Sequence, residues 1–86
     1  LDVKVTGAWP LGPAIVVVGD GKSASLRSDP SVRAKEVCGI QHGRRVNITG
    51  TMKKTTDYYF QPVFADCPSG PASGWMAIDV LRPPLP

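Results

Sequence analysis

Short apolar stretches alternate with polar residues along most of this chain, separated by glycine, proline and aspartate. The alternation is clearest at 45–50, where Val46 and Ile48 are expected to face inward, and it recurs around Leu26, with Arg27 outward. A period of two is typical of half-buried strands. Turn-forming segments recur about every ten residues, and no stretch has a dependable helical period. The chain therefore predicts an all-β fold of five to seven short antiparallel strands in a small barrel or sandwich.

Three segments give more specific expectations. The β-branched run 14–18 predicts a strand that is buried on both faces or lies in a tight barrel. The segment before the second hairpin predicts Val32, Val37 and Ile40 as inward residues. Two prolines and two glycines make 65–74 a long loop on this interpretation.

Length and charge limit the classes of function. With 86 residues and 42% hydrophobic residues, the chain makes one domain with a thin core. The net charge is +3, and its basic doublets are Arg44-Arg45 and Lys53-Lys54, with acidic residues spread between them. We interpret these as solvated charges rather than a nucleic-acid surface. No apolar run reaches the length of a membrane span. Because the chain begins at Leu1, we interpret it as a processed protein or a fragment.

The two cysteines, Cys38 and Cys67, are either disulfide-bonded or two buried free thiols. A bridge would close a loop of about 30 residues and contribute roughly 3 to 4 kcal/mol. One histidine cannot complete a zinc site with them. We favour the disulfide, and therefore an oxidising compartment outside the cytoplasm.

The aromatic residues fall mainly on two adjacent predicted strands. Alternation places Tyr58 and Phe60 on one face and Tyr59 on the other, so both tyrosines cannot be core residues. We expect Phe60, Phe64 and Trp75 to be core. In the same strand, Pro62 suits an edge or bulge position.

Catalytic chemistry finds little support in the sequence. The one histidine, His42, lies in a predicted turn, and alternation would aim it away from Cys38. The aspartates are spread over separate turns, where this residue commonly bonds its own backbone. No nucleotide-binding loop is present. We therefore predict no catalytic residue, no metal and no cofactor in this domain.

Five motifs follow one another in the middle and end of the chain: ASLRSDP at 24–30, EVCG at 36–39, GRRVNI at 43–48, GWMA at 74–77 and Val80-Leu81. In this order they resemble the bacterial SH3-like domain family. Tyr58 or Tyr59 stands where that family usually has a tryptophan. The segment before Trp75 is longer than in the family, and the first 13 residues have no counterpart.

The resemblance implies an SH3-like barrel at 14–82, with an N-terminal arm or extra strand at 1–13 and a proline-rich tail or linker at 83–86. A short 3-10 turn near the C-terminus, at 77–81, is compatible with such a barrel. It also implies a non-catalytic binding module of a secreted or periplasmic protein, which recognises cell-wall peptide, peptidoglycan or another extended peptide. The candidate ligand contacts are Tyr58, Tyr59 and Trp75 for stacking, and Arg27, Arg44 and Arg45 for anionic groups.

Two other functions stay open at this point. The chain could be a structural or self-associating interaction domain, with the segment 66–74 and the arm 7–13 at the interface. It could also be the targeting domain of a larger hydrolase whose catalytic part lies elsewhere.

Overall fold

The computed structural model describes residues 9–55 and 58–83. The expected strand around Leu1, Val3 and Val5, and the end of the proline-rich tail at 84–86, lie outside the described residues. Within them the fold is all-β, as predicted, with a 3-10 turn at Ile78–Val80. The described residues form eight strands rather than five to seven: β1 Gly12–Val16, β2 Ser23–Arg27, β3 Glu36–Gln41, β4 Arg45–Ile48, β5 Lys53–Lys54, β6 Tyr59–Cys67, β7 Gly70–Ala77 and β8 Leu81–Arg82.

The strands form one antiparallel sheet that curls into a half-barrel. Their order is β3-β2-β7-β6-β4-β1-β8, and β5 pairs with the start of β6. Strands that are neighbours in the sheet are therefore often distant in the sequence: β1 pairs with β4 on one side and with β8 on the other. The long strands β6 and β7 lie in the middle and connect the two halves.

The concave face of the sheet holds the core, and alternation selects its residues. Val46 and Ile48 on β4 are buried as predicted, as are Leu26 on β2 and Ile40 on β3. Gly74 on β7 is needed for the close approach of β2, because a Cβ atom there would lie 2.6 Å from the carbonyl oxygen of Arg27. The remaining core residues are Ala14, Val16, Ala24, Val63, Ala65, Cys67, Met76 and Leu81.

The prediction of three inward residues near β3 is wrong for two of them. Val32 is 47% exposed and Val37 is 42% exposed. Val32 lies in the irregular connection between β2 and β3 rather than in a strand. Val37 and Ile40 are three positions apart, so a period of two sends them to opposite faces, and Ile40 takes the inner one.

The run 14–18 adopts the barrel alternative rather than burial on both faces. Ala14 and Val16 are fully buried, whereas Val17 is 39% exposed and lies beyond the end of β1. The reason is that only the concave face of β1 meets the core.

The prediction of a long loop at 65–74 is wrong. Residues on both sides of Pro68 and Ser69 pair with one another, and the last pair joins Cys67 to Gly70, so β6 and β7 form one long hairpin with a two-residue turn. Gly70 has a φ of +128°, which a residue with a side chain rarely adopts.

Pro62 lies within the central strand β6, at the point where its neighbour on one side changes. Phe64 and Val63 pair with β4, while Phe60 and Tyr59 pair with β5. Because no ladder pair is formed on that side at Pro62, the missing N–H is tolerated there, and Pro62 still accepts a hydrogen bond from the Thr49 amide at 2.9 Å.

The two cysteines form a disulfide, as predicted, with 6.0 Å between their Cα atoms. It joins β3 to the end of β6, two strands that do not pair and are separated in the sheet order by β2 and β7. The covalent bond therefore connects strand β3 at one end of the sheet order to the central strand β6.

Trp9 is anchored to the half-barrel by the buried side chain of Gln61. The Gln61 Oε1 accepts from the Trp9 amide at 2.9 Å, and its Nε2 donates to the carbonyls of Trp9 and Gly50, each at 3.1 Å. The indole Nε1 donates to the carbonyl of Ile78 at 3.0 Å. The segment entering β1 is thus part of the folded domain.

Candidate functional site

A groove crosses the convex side of the sheet beside the 3-10 turn, and we call it the Tyr58 groove. Its volume is about 200 Å³. The lining is mostly apolar, although a serine pair and one arginine contribute at its rim. The groove is lined by Val18, Ser23, Ala24, Ser25, Arg27, Val32, Tyr58, Phe60, Ala77 and Val80.

The aromatic part of the groove combines a buried ring with an exposed one. Phe60 is 2% exposed, as expected for a core residue, but it lies outside the main core cluster. Tyr58 is 43% exposed, and its ring meets that of Phe60 edge-on, with 6.3 Å between centroids. Phe60 therefore supports Tyr58 from below, an arrangement that holds the tyrosine ring while leaving much of it in contact with solvent.

Arg27 provides the cationic group of the groove. It lies at the end of β2 and its Nη1 donates a hydrogen bond to the carbonyl of Ala34 at 3.0 Å. This bond orients the guanidinium, which has five N–H donors in all. The remaining donors are able to serve a carboxylate or a carbonyl oxygen next to the apolar lining.

Trp75 and Tyr59 do not line the groove. Trp75 is the cross-strand partner of Arg27 and of Pro62, so the three side chains leave the sheet on its convex face. Trp75 is half-buried rather than fully core. Tyr59 is also half-buried, and the Nζ of Lys54 lies 5.8 Å from its ring centroid.

The other two candidate arginines lie elsewhere. Arg44 is exposed in the turn before β4, and Arg45 is exposed on β4 itself. Each lines a separate shallow depression together with Asp66. Of the six sequence-based candidates, the structure therefore brings only Tyr58 and Arg27 together in the Tyr58 groove.

Sequence reasoning missed the aliphatic part of the groove. Val18, Val32 and Val80 come from three distant connections and meet only in the folded chain. A period of two assigns Val37 and Ile40 to opposite faces of β3. It gives no information about Val32, because this residue lies in an irregular segment.

His42 has a structural role in the turn between β3 and β4. Its Nδ1 accepts hydrogen bonds from the amides of Val18 and Gly19, each at 3.1 Å. Its Nε2 lies 3.5 Å from a carboxylate oxygen of Asp20. The imidazole thus joins the end of β1 to the following turn.

Two negative findings concern residues 9–55 and 58–83 alone. No group of three or more His, Cys, Asp or Glu side chains there could hold a metal ion. In the same part of the chain, no helix has the length and hydrophobicity required to cross a bilayer.

Models of known protein families, curated protein sequences and solved structures were each compared with this chain, and none of the three comparisons gives a match.

Proposed function

We propose that this chain is a non-catalytic binding module of the bacterial SH3-like type, which holds an extended peptide in the Tyr58 groove. The observation that carries the proposal is the exposure of Tyr58 and Val32 over a buried Phe60. Exposed apolar surface in a concave setting marks an interaction site more often than a random surface residue does. An extended peptide presents alternate side chains to one side, which suits a groove of this kind.

The chemistry of the groove favours a peptide that combines a small apolar side chain with an anionic group. Val18, Val80 and Tyr58 offer an apolar surface, and Arg27 lies at its rim with its guanidinium oriented. A guanidinium binds a carboxylate in a bidentate manner. Cell-wall peptides carry both features, and they are the targets that the resemblance implies.

The proposal includes no catalytic role, because the side chains that could act as a base or a nucleophile are already bonded within the chain. The Nδ1 lone pair of His42 already accepts two backbone hydrogen bonds, so it is not available as a general base. Cys38 and Cys67 are joined in the disulfide and offer no thiolate nucleophile.

An extracytoplasmic location is part of the proposal. Disulfides persist in secreted and periplasmic proteins and are rare in the cytosol. The Cys38–Cys67 bond is consistent with such a compartment.

Cosedimentation with isolated bacterial cell walls at low salt tests the proposal. We expect the 86-residue chain to sediment with the walls, and soluble stem peptides that carry no sugar to release it. Tyr58→Ala should weaken binding about tenfold or more, as truncation of a central aromatic contact does. Leu11→Ala is the matched control, because Leu11 is 66% exposed and lies outside the groove. If the wild-type chain stays in the supernatant, or if Tyr58→Ala sediments equally well, the proposal is wrong.

Self-association is a second candidate function, and it is favoured by the position of β3 at the edge of the sheet that residues 9–55 and 58–83 form. The amide of His42 donates to the carbonyl of Lys22, so the alternating pattern directs the backbone groups of residues 37, 39 and 41 away from β2. An edge of this kind is able to pair with a strand of another copy. Light scattering across a concentration series distinguishes a monomer from a dimer.

A further inference from the structure

A second surface, distinct from the Tyr58 groove, is centred on Phe64. This side chain is 43% exposed, although we expected a core residue. Alternation explains the difference, because Val63 and Ala65 occupy the core and send Phe64 to the convex face. Since β6 lies between β4 and β7, the ring stands in the middle of a sheet face rather than at its edge.

Polar side chains surround this ring. Asn47 on β4 and Ser73 on β7 are its direct cross-strand partners, so both leave the sheet on the same face. A depression of about 280 Å³ lies beside the ring. We call this surface the Phe64 platform; it is lined by Pro13, Arg45, Val46, Asn47, Phe64, Ala65 and Asp66.

The charges of the platform are balanced, and Arg45 and Asp66 form no ion pair with another residue of 9–55 or 58–83. Arg45 and Asp66 both line the depression, yet the one acid–base contact within 4 Å among the described residues joins His42 to Asp20. One cation, one anion and one amide provide several donors and several acceptors with no net charge. This combination suits a neutral ligand rich in hydroxyl groups better than it suits an anion.

We propose that the Phe64 platform binds a pyranose unit of a neutral oligosaccharide. One face of a pyranose presents C–H groups, which pack against the electron-rich face of an aromatic ring. Its hydroxyl groups lie around the ring edge, where Arg45, Asn47 and Asp66 are placed to exchange hydrogen bonds with them. The depression is below the volume of a drug-sized pocket, which suits one sugar unit on an open surface.

The proposal does not depend on peptide binding in the Tyr58 groove. The Tyr58 groove and the Phe64 platform share no lining residue. A module that has both sites would bind a polymer in which sugars and peptides are covalently joined through two different contacts.

Titration of the ¹⁵N-labelled 86-residue chain with chitotetraose and, separately, with cellotetraose tests the inference. We expect amide shifts concentrated at residues 45–47, 64–66 and 73, and no shifts around the Tyr58 groove. Phe64→Ala should weaken saccharide binding about tenfold or more. Asn47→Ala is a second variant at an exposed position, and it should weaken binding while leaving the melting temperature unchanged.

Two controls separate this site from the peptide site. Tyr58→Ala should retain saccharide binding, and Leu11→Ala should retain both activities. Binding of chitotetraose but not cellotetraose would support the site and add recognition of the acetamido group. The inference is overturned if neither saccharide shifts the platform at millimolar concentration, or if Phe64→Ala and Asn47→Ala bind as the wild type does. Shifts of the platform that follow protein concentration without saccharide would overturn it in favour of contact between two copies.

Discussion

Removal of the disulfide should cost this domain a large part of its stability, because the bond provides a connection that the sheet itself lacks. Edge strand β3 pairs with β2, and no ladder links it to β6. Cys38 and Cys67 are separated by 29 positions in sequence. In the chain-entropy model, a loop of this length gives about 12 cal/mol/K, which is about 3.6 kcal/mol at 25 °C. A chain of this size has a total stability of roughly 4–13 kcal/mol.

The variant is Cys38→Ala combined with Cys67→Ala, which avoids leaving a hydroxyl at the buried Cys67 position. Urea unfolding followed by the fluorescence of Trp9 and Trp75 gives the free energy of unfolding. We expect a loss of about 3.6 kcal/mol relative to the oxidised wild type. The reduced wild type should resemble the double variant, and reductant should not change the double variant.

Hydrogen exchange locates the effect. Amides of β3 should exchange faster in the double variant by a larger factor than amides of β4, since β4 keeps both neighbouring strands. A loss below about 1 kcal/mol would refute the magnitude, because it would mean that the unfolded chain is already restricted without the bond. Equal acceleration in both strands would refute the local part of the reasoning, because it would mean that the bond acts on the unfolded chain alone and that β2 is sufficient to hold β3 in the folded protein.

Three further predictions concern single contacts. Gln61→Leu removes three hydrogen bonds that hold Trp9 and the neighbouring segment, so it should lower the free energy of unfolding by about 2–4 kcal/mol in urea denaturation. Gly74→Ala places a Cβ atom 2.6 Å from the Arg27 carbonyl oxygen and should cost about 2–3 kcal/mol, measured as a lower urea midpoint. His42→Ala removes the acceptor of amides 18 and 19, so it should cost about 1 kcal/mol and accelerate hydrogen exchange at those two amides. Loss of less than half of each stated value would contradict the corresponding contact. The matched control is Gln41→Leu for Gln61→Leu, Ser73→Ala for Gly74→Ala, and Gln41→Ala for His42→Ala.

The groove and the platform differ in how far they could be predicted. Tyr58 and Arg27 were candidates from the sequence, because aromatic residues at the start of a strand and arginine at an outward position are visible locally. Val32 and Val80 were not, since the sequence contains no signal that brings two separate connections together. Phe64 was assigned to the core because hydrophobicity alone favours burial.

The sequence by itself determined the all-β class, the period of two, and the pairing of the two cysteines once a disulfide was assumed. These depend on local preferences or on a choice with one solution: Val46 and Ile48 alternate with polar neighbours, and two cysteines allow one bridge. Only the tertiary structure decided the phase of each strand. A period of two is equally satisfied with Val37 or with its neighbours inward, and distant partners choose between them. The hairpin at 65–74 was predicted as a loop for the same reason, because its prolines and glycines are local turn signals. The pairing of β6 with β7 and the burial of Ala65 and Cys67 exist only when the sheet curls around the core.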